Sequence, residues 1–332
     1  MNKNFTNKTN QKSSPFGRIR GGLILFLLST LLSVTAQSTL KERLEQHVFT
    51  LASDSLQGRQ AGTLHARMAA EYIVKQWEEI EIEPYTENSF WQIFNNGKFQ
   101  NLVGIIRGND PNLQNEYIVV GAHYDHIGVW NGNIYNGADD NASGVAVLIE
   151  LARKLKYNQA NLKRSIILIA FDAEEIGLLG SKHFVNNPIV PLESIKLMIG
   201  IDMVGWYQAS GRLMYMECGT IEDAEKLILN EQLIPEGLNV IAKKFAPSSN
   251  NINFFATKDV LESIFITITD TYPFVLKGIP ALAVSTGLVS PFHEPEDEAH
   301  LIDYDGMVLI TKHLKNIIKS QCNIVRTSEQ SH

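Results

Sequence analysis

An uninterrupted apolar run at positions 166–171, with the sequence IILIAF, restricts the fold of this chain more than any other feature. A strand of this kind is typical of parallel sheets, in which helices cover both faces. Further strand-like runs occur at 99–106, 117–120, 195–201, 212–216 and 281–284. Helical periodicity occurs at 40–56, 66–77, 142–155, 178–184, 222–230 and 304–318. Because alternation of strands and helices favours crossover connections, the sequence predicts one α/β domain with a mostly parallel central sheet between helices.

The first 36 residues differ from the rest of the chain. Five basic residues and no acidic residue precede or enter an apolar segment that begins at Gly22 and ends in the small-x-small pattern Val34-Thr35-Ala36. This arrangement predicts a signal peptide over 1–36 and a mature domain over 37–332. A membrane anchor is the alternative, but the apolar segment is short for a bilayer. We therefore expect an exported protein, periplasmic or extracellular, without stable membrane association after cleavage.

The mature chain is strongly acidic. Cleavage removes five of the 29 basic residues, which leaves 24 against 36 acidic residues and a formal charge of −12. That charge argues against nucleic acid or an anionic membrane as a partner. The two cysteines, Cys218 and Cys322, are too far apart to indicate a zinc site, and the sequence does not determine whether they pair.

Acidic and histidine residues follow four of the strand-like runs. They are His123 and Asp125 after 117–120, Asp172, Glu174 and Glu175 after 166–171, Asp202 after 195–201, and His293 after 281–284. Because the carboxyl ends of parallel strands meet at one edge of a sheet, we expect these side chains to lie together. Imidazoles and carboxylates without thiolates suit zinc, with manganese or cobalt as alternatives. The acids outnumber the ligands of one tetrahedral ion, which favours two ions bridged by a carboxylate and a water.

The bridging carboxylate is expected in the segment GADDNASG at 137–144, just before a predicted helix. Asp140 is the candidate, and Asp139 competes with it for this role. Either acid could instead serve only as a helix N-cap. The pair Glu174-Glu175 also has a simpler interpretation, as a solvated turn or an acidic first helical turn.

Five motifs occur in an order that resembles the M28 family of co-catalytic zinc peptidases, which includes secreted bacterial aminopeptidases. They are HYD at 123–125, GADDNASG at 137–144, EEIGLLGS at 174–181, DMVG at 202–205 and HEPED at 293–297. The segment LASDSLQGR at 51–59 also resembles the start of bacterial members. The resemblance covers about 45–320 and implies the zinc-peptidase fold of the phosphorylase/hydrolase-like type.

The resemblance implies two zinc ions per chain and a role for each motif residue. His123 and Asp202 would bind one zinc, Glu175 and His293 the other, and Asp140 would bridge them. Glu174 would be the general base toward a water between the ions, and Asp125 would orient His123 through its second ring nitrogen. The implied activity is that of an aminopeptidase with peptide substrates. The sequence does not decide between an aminopeptidase and a carboxypeptidase or dipeptidase, or which substrate residue is preferred.

The segment TITDTYPF at 267–274 departs from the family, in which many bacterial members carry Arg-Ser-Asp-His before the aromatic residues. The candidates for the substrate pocket are Asp270, Tyr272, Phe274 and Met203, the last with a core position as the alternative. A polar loop at 248–253 is a candidate rim of the site. Asp172 and Asp297 are interpreted as hydrogen-bond acceptors beside the ligands, with Asp297 able to orient His293. His126 and His300 are interpreted as structural or surface residues.

Two other functions compete with peptidase activity. A glutaminyl cyclase-like acyltransferase would share the fold and most ligands but use one zinc. Those enzymes resemble DGEEAF at the paired acids and carry Trp before the late histidine, whereas this chain has Ala173 and Phe292. A binding domain on an inactive peptidase fold is the third hypothesis, but every expected ligand position is filled.

Overall fold

A computed structural model describes residues 38–218, 224–245 and 269–324. The predicted signal peptide and the polar loop at 248–253 lie outside the described residues. The helices are α1 Leu40–Leu51, α2 Leu64–Glu79, α3 Gly144–Tyr157, α4 Leu179–Asn186, α5 Tyr207–Ser210, α6 Ala224–Ile228, α7 Tyr272–Leu276 and α8 Tyr304–Asn323. The strands are β1 Glu83–Pro84, β2 Trp91–Phe94, β3 Phe99–Ile106, β4 Tyr117–His123, β5 Gly128–Trp130, β6 Asn133–Tyr135, β7 Ser165–Phe171, β8 Ile195–Ile201, β9 Leu213–Cys218, β10 Val240–Phe245 and β11 Ala281–Ser285.

Nine of these strands form one sheet in the order β1-β3-β7-β4-β8-β11-β9-β10, with β2 also paired to β3. The central strands β7, β4, β8 and β11 are parallel to one another. Antiparallel pairs join β3 to β7 and β9 to β11, and β5 and β6 form a separate hairpin. The predicted fold, a single α/β domain with a mostly parallel central sheet, is confirmed.

Strand β7 is buried along its whole length because helices cover both faces of the sheet. Ile166 and Leu168 pack in the core formed with α3 and α8. Ile167 and Ile169 belong to the opposite core, together with Phe184 of α4. The alternation follows from the two-residue period of a strand, and an apolar residue at every position satisfies both faces.

The sequence prediction missed β10 and the direction of β9. Strand β10 contains Lys243 and Lys244, which obscure an apolar pattern but suit its place at the end of the described part of the sheet. Strand β9 runs antiparallel to β11. The sequence could not show this direction, because side-chain alternation is the same in parallel and antiparallel strands. Helix α8 continues to Asn323, beyond its predicted end at 318, and buries the free thiol of Cys322. The side chain of Cys218 lies outside the described residues.

The carboxyl ends of β4, β7, β8 and β11 share one edge of the sheet, as the sequence predicted. Loops leave this edge toward α3, α4 and α8, and they carry most of the candidate site residues. Within the described residues, no helix combines the length and hydropathy that crossing a bilayer requires.

Candidate metal centre and active site

Strands β4 and β8 bring the first group of donor atoms together. His123 is the last residue of β4, and Asp202 directly follows β8, its parallel neighbour. The Nε2 atom of His123 lies 3.4 Å from Oδ1 of Asp202 and 3.3 Å from Oδ1 of Asp140. All three side chains are largely buried, so their charges are poorly screened by water.

A second group forms on the other side of Asp140. The Nε2 atom of His293 lies 3.2 Å from Oδ2 of Asp140 and 3.1 Å from Oε2 of Glu175. The two carboxylate oxygens of Asp140 therefore face different groups, as a bridging ligand requires. Nδ1 of His126 lies 2.7 Å from Oε1 of Glu175 and borders the same group.

The structure distinguishes Asp140 from Asp139. The Asp139 carboxylate accepts a hydrogen bond from the Gly205 main-chain N–H at 2.7 Å and holds the loop after β8. The main-chain N–H groups of Asp139 and Asp140 donate to the Asp297 carboxylate at 2.9–3.1 Å. Asp297 thus supports the loop of the bridging candidate, whereas the sequence had suggested His293 as its partner.

The paired glutamates are positioned by Asp125. Its carboxylate accepts hydrogen bonds from the main-chain N–H groups of Glu174 and Glu175, at 3.0 and 3.4 Å. Nδ1 of His123 instead contacts the Asp125 main-chain oxygen at 3.1 Å, and the Asp125 carboxylate is 3.9 Å away. Asp125 therefore meets the second ring nitrogen of His123, as the resemblance implied, through its main-chain carbonyl, while its side chain holds the turn of the glutamates.

The two glutamates have different electrostatic surroundings. Burial raises the pKa of Glu174 well above its usual value. Burial has the same effect on Glu175, but hydrogen bonds from His126 and His293 outweigh it and leave the Glu175 pKa lowered. The carboxylates in turn raise the pKa of His293 to about 10, although burial alone would lower it. A divalent cation would replace the charge on this imidazolium, so its binding would release protons.

The donor atoms fit a divalent cation such as zinc. Two bonds of about 2.0–2.1 Å at a tetrahedral angle place their donor atoms about 3.3 Å apart. The contacts of His123 and His293 with their carboxylate partners measure 3.1–3.4 Å, which matches that spacing. The donors are imidazole nitrogens and carboxylate oxygens, and first-row divalent metals such as zinc accept both.

A cavity of about 370 Å³ opens over these groups. Besides the donor residues and Glu174, its described lining residues are Gly177, Leu178, Lys182, Met203 and Phe292. Met203 lines the cavity as proposed from the sequence. Phe274 does not, because it is fully buried against Phe184 in the core, and this part of the prediction is corrected. Asp270 and Tyr272 are likewise absent from the described lining, and burial raises the pKa of Asp270 to about 7.

Sequence reasoning missed three neighbours of the site. His126 lies against Glu175, and its place in the segment HYDH was the available signal. Phe292 stacks on the His293 ring with centroids 3.8 Å apart. Lys182 lies one turn into α4, where nothing in the sequence points to a cavity. His300 lies exposed on a short turn and Asp172 accepts a hydrogen bond from Gln100 N–H, in line with their interpretations.

The chain belongs to peptidase family M28, whose family model matches residues 101–318. Aminopeptidase YwaD of Bacillus subtilis is 40% identical over 121 residues, which are 35% of this chain and 25% of that protein. Leucine aminopeptidase 1 of Grosmannia clavigera is 30% identical over 154 residues, which are 45% of this chain and 36% of the relative. The matched stretch therefore spans only a quarter to about a third of these relatives.

Solved structures share the fold. The LapA aminopeptidase of Legionella pneumophila has a TM-score of 0.63 at 19% identity, over 86% of this chain and 74% of that chain. BSAP, a zinc aminopeptidase of Bacillus subtilis, has a TM-score of 0.61 at 16% identity, over 88% of this chain and 96% of that chain. A glutaminyl cyclase of Porphyromonas gingivalis has a TM-score of 0.58 at 18% identity, over 86% of this chain and 100% of that chain. At these identities the likeness shows the fold alone.

Proposed function

We propose that this chain is an exported metallo-aminopeptidase that removes N-terminal residues from peptides and holds two zinc ions. One observation carries the proposal. The carboxylate of Asp140 joins His123 and Asp202 on one side to His293 and Glu175 on the other, and Glu174 lies 4.0 Å from Nε2 of His123 without a contact to Asp140. Membership of family M28 and relatives named aminopeptidases support the same activity. Export rests on the sequence of residues 1–36 alone.

Two ions would share the ligands found at the strand ends. His123 and Asp202 would hold one, Glu175 and His293 the other, and Asp140 both. When bound, such ions lower the pKa of a water and polarise the carbonyl of the scissile bond. The side chains of His123, Asp140, Glu175 and Asp202 are at most 13% exposed, whereas that of His293 is 41% exposed.

Glu174 would move the proton. Its Oε2 atom lies 4.0 Å from Nε2 of His123, and its side chain is only 10% exposed. Because burial disfavours the ionised form, this carboxylate readily takes a proton from an attacking water and can return it to the leaving amine. Asp125 holds the main chain of both glutamates, which keeps Glu174 beside the first group and Glu175 in the second.

The cavity is of a size found for small-ligand pockets. Leu178, Met203 and Phe292 contribute apolar surface beside the donor groups. This surface favours an apolar side chain at the N-terminal position of the substrate, because transfer of such a side chain from water is favourable.

The variants Glu174→Gln and Glu175→Gln test the proposal as a matched pair, since each replaces one oxygen by an amide. We expect Glu174→Gln to retain about two zinc ions per chain and to lose roughly 10²–10⁴-fold in kcat, because only proton transfer is removed. Glu175→Gln should lose zinc. Metal content by mass spectrometry and turnover of leucyl p-nitroanilide measure both effects.

Substrate controls separate this function from its competitors. A leucyl substrate with an acetylated amino group should not be cleaved by an aminopeptidase. Full turnover by Glu174→Gln would contradict the mechanism, and cleavage of the acetylated substrate would contradict the aminopeptidase assignment. Formation of pyroglutamyl peptide from an N-terminal glutaminyl peptide, without hydrolysis, would instead support the glutaminyl cyclase alternative.

A further inference from the structure

His126 lies against Glu175 in the second donor group. It is in none of the named strands, and it is not one of the five residues proposed to bind zinc. Its side chain is buried, and its ring packs at an angle of 65° to that of His293, with centroids 5.8 Å apart. A Cβ atom added to Gly137 would lie 2.5 Å from the His126 ring, so the ring fills all the space there. This packing fixes the direction of Nδ1.

The contact distances separate His126 from the metal ligands. Nδ1 of His126 lies 2.7 Å from Oε1 of Glu175, whereas Oε2 of the same carboxylate lies 3.1 Å from Nε2 of His293. Donor atoms on one tetrahedral ion stand about 3.3 Å apart, while 2.7 Å is the length of a charge-assisted hydrogen bond. Nδ1 is also 3.7 Å from Oδ2 of Asp140, too far for a hydrogen bond.

The proton on His126 follows from its surroundings. A carboxylate has only acceptor sites, so Nδ1 must donate to Glu175. Nε2 is buried and has no hydrogen-bond partner within the described part of the chain. Among the described residues, Glu175 is therefore the hydrogen-bond partner that orients the ring.

We propose that His126 is a positioning residue, which engages one oxygen of Glu175 through Nδ1–H and leaves only the other oxygen for the metal. The inference rests on the proposed function, because it requires an ion between Asp140, Glu175 and His293. Glu175 would then be a monodentate ligand, and the coordination position that a bidentate carboxylate would fill stays free for water or substrate. Residues that orient a metal ligand in this way typically contribute about 10–100-fold in metal affinity.

Three substitutions of His126 separate hydrogen bonding from packing. His126→Asn places an amide N–H where Nδ1 stands, His126→Gln moves the amide away from Glu175, and His126→Leu removes the donor. We expect His126→Leu and His126→Gln to weaken the binding of one Zn²⁺ about 10–100-fold and to leave the other within about twofold. His126→Asn should keep most of the affinity of the unmodified protein. Competition with a chromophoric chelator measures Zn²⁺ affinity, and circular dichroism melting of the metal-free protein reports any folding defect.

Spectra of the Co²⁺-loaded proteins give a readout that general loosening of the fold would not produce. If His126 only positions Glu175, His126→Asn should preserve the d–d absorption of the unmodified protein, whereas His126→Leu should alter the band of one ion as Glu175 becomes bidentate. Unchanged Zn²⁺ affinities in both His126→Leu and His126→Gln would overturn the proposal. A Co²⁺ band that changes equally in all three variants would make His126 a direct ligand and would also overturn it.

Failure of this proposal can be told from failure of the proposed function. Unmodified protein that binds two Zn²⁺ but cleaves no peptide would contradict the aminopeptidase assignment, and the affinities of the His126 variants would still decide the positioning role. Unmodified protein that binds one Zn²⁺, insensitive to Glu175→Gln, would overturn both. If His126→Leu fails to fold, the comparison of His126→Asn with His126→Gln gives the same decision.

Discussion

Arg59 is buried near the donor groups and joins the segment after β4 to the turn that contains Asp140. Its guanidinium donates hydrogen bonds to four main-chain oxygens, of Leu51, Tyr124, Asn136 and Gly137. Tyr124 follows His123, and Gly137 begins the turn that contains Asp140. Burial lowers the pKa of Arg59 only to about 10, so the side chain stays charged at neutral pH and faces the acidic site.

Arg59→Lys should destabilise the protein although it preserves the charge. A lysine has three donors on a single atom and cannot reach all four oxygens, and each buried oxygen left without a donor costs about 1–3 kcal/mol. We expect the free energy of unfolding to fall by about 2–4 kcal/mol in urea titrations. Arg67→Lys, at an exposed arginine paired with Glu71, is the control and should change it by less than about 0.5 kcal/mol. Equal effects of the two substitutions would refute the role given to Arg59.

At the scale of elements, the turn between β6 and α3 decides where the carboxylate of Asp140 lies. Gly137 enters this turn with φ +57°, a conformation that a residue with a Cβ rarely adopts. A Cβ there would also collide with the carbonyl oxygen of Asp140 and with the ring of His126. Asp297 fixes the other side of the turn through the main chain of Asp139 and Asp140. The turn is therefore held by residues from distant parts of the sequence.

Gly137→Ala should lose metal affinity as well as stability. The collision must move either Asp140 or His126, and both border the second donor group. Gly132→Ala is a matched control, because Gly132 also has positive φ but no atom of the described structure within 4 Å of the added Cβ. We expect the control to cost about 1 kcal/mol of unfolding free energy and to keep its Zn²⁺ affinity. Wild-type Zn²⁺ affinity in Gly137→Ala would show that the turn tolerates the added methyl group.

At the scale of the whole molecule, the parallel sheet gathers more carboxylates than the donor groups use. Asp172, after β7, is buried and accepts hydrogen bonds from the main-chain N–H groups of Gln100 and Ala173. Burial still raises its pKa to about 6, from a usual value of 3.8. The folded state therefore binds this proton more tightly than the unfolded chain does. The stabilisation is fully present below about pH 4 and is lost as the pH rises through about 6.

Asp172→Asn should remove this part of the pH dependence. Asparagine does not titrate, and the loss of one acceptor oxygen adds a penalty that is the same at every pH. As the pH rises from 4 to 7, the unfolding free energy of the variant minus that of the unmodified protein should therefore increase by about 2–3 kcal/mol. Urea titrations of the metal-free proteins at several pH values measure this difference. Parallel profiles for the two proteins would contradict the assignment to Asp172.

Much of the architecture could be read from local pattern. The buried run of β7 and the acids and histidines after four strands indicated both a parallel sheet and the edge where side chains meet. Strand β10 could not be found in this way, because two lysines interrupt its pattern and, among the described strands, only its neighbour β9 pairs with it. The direction of β9 was also hidden, since hydrogen-bond partners across a sheet leave no trace in a single strand.

The sequence by itself determined the strand and helix periodicity, the edge of the sheet that carries the chemistry, and the residue types that collect there. Only the tertiary structure decided that Asp140 rather than Asp139 faces both donor groups, that Asp125 holds the glutamate turn, that His126 reaches Glu175, and that Phe274 belongs to the core. The physical reason is the separation along the sequence of the residues that determine each feature. Periodicity depends on residues a few positions apart, whereas the direction of Asp140 depends on a hydrogen bond to Asp297, 157 positions later in the chain.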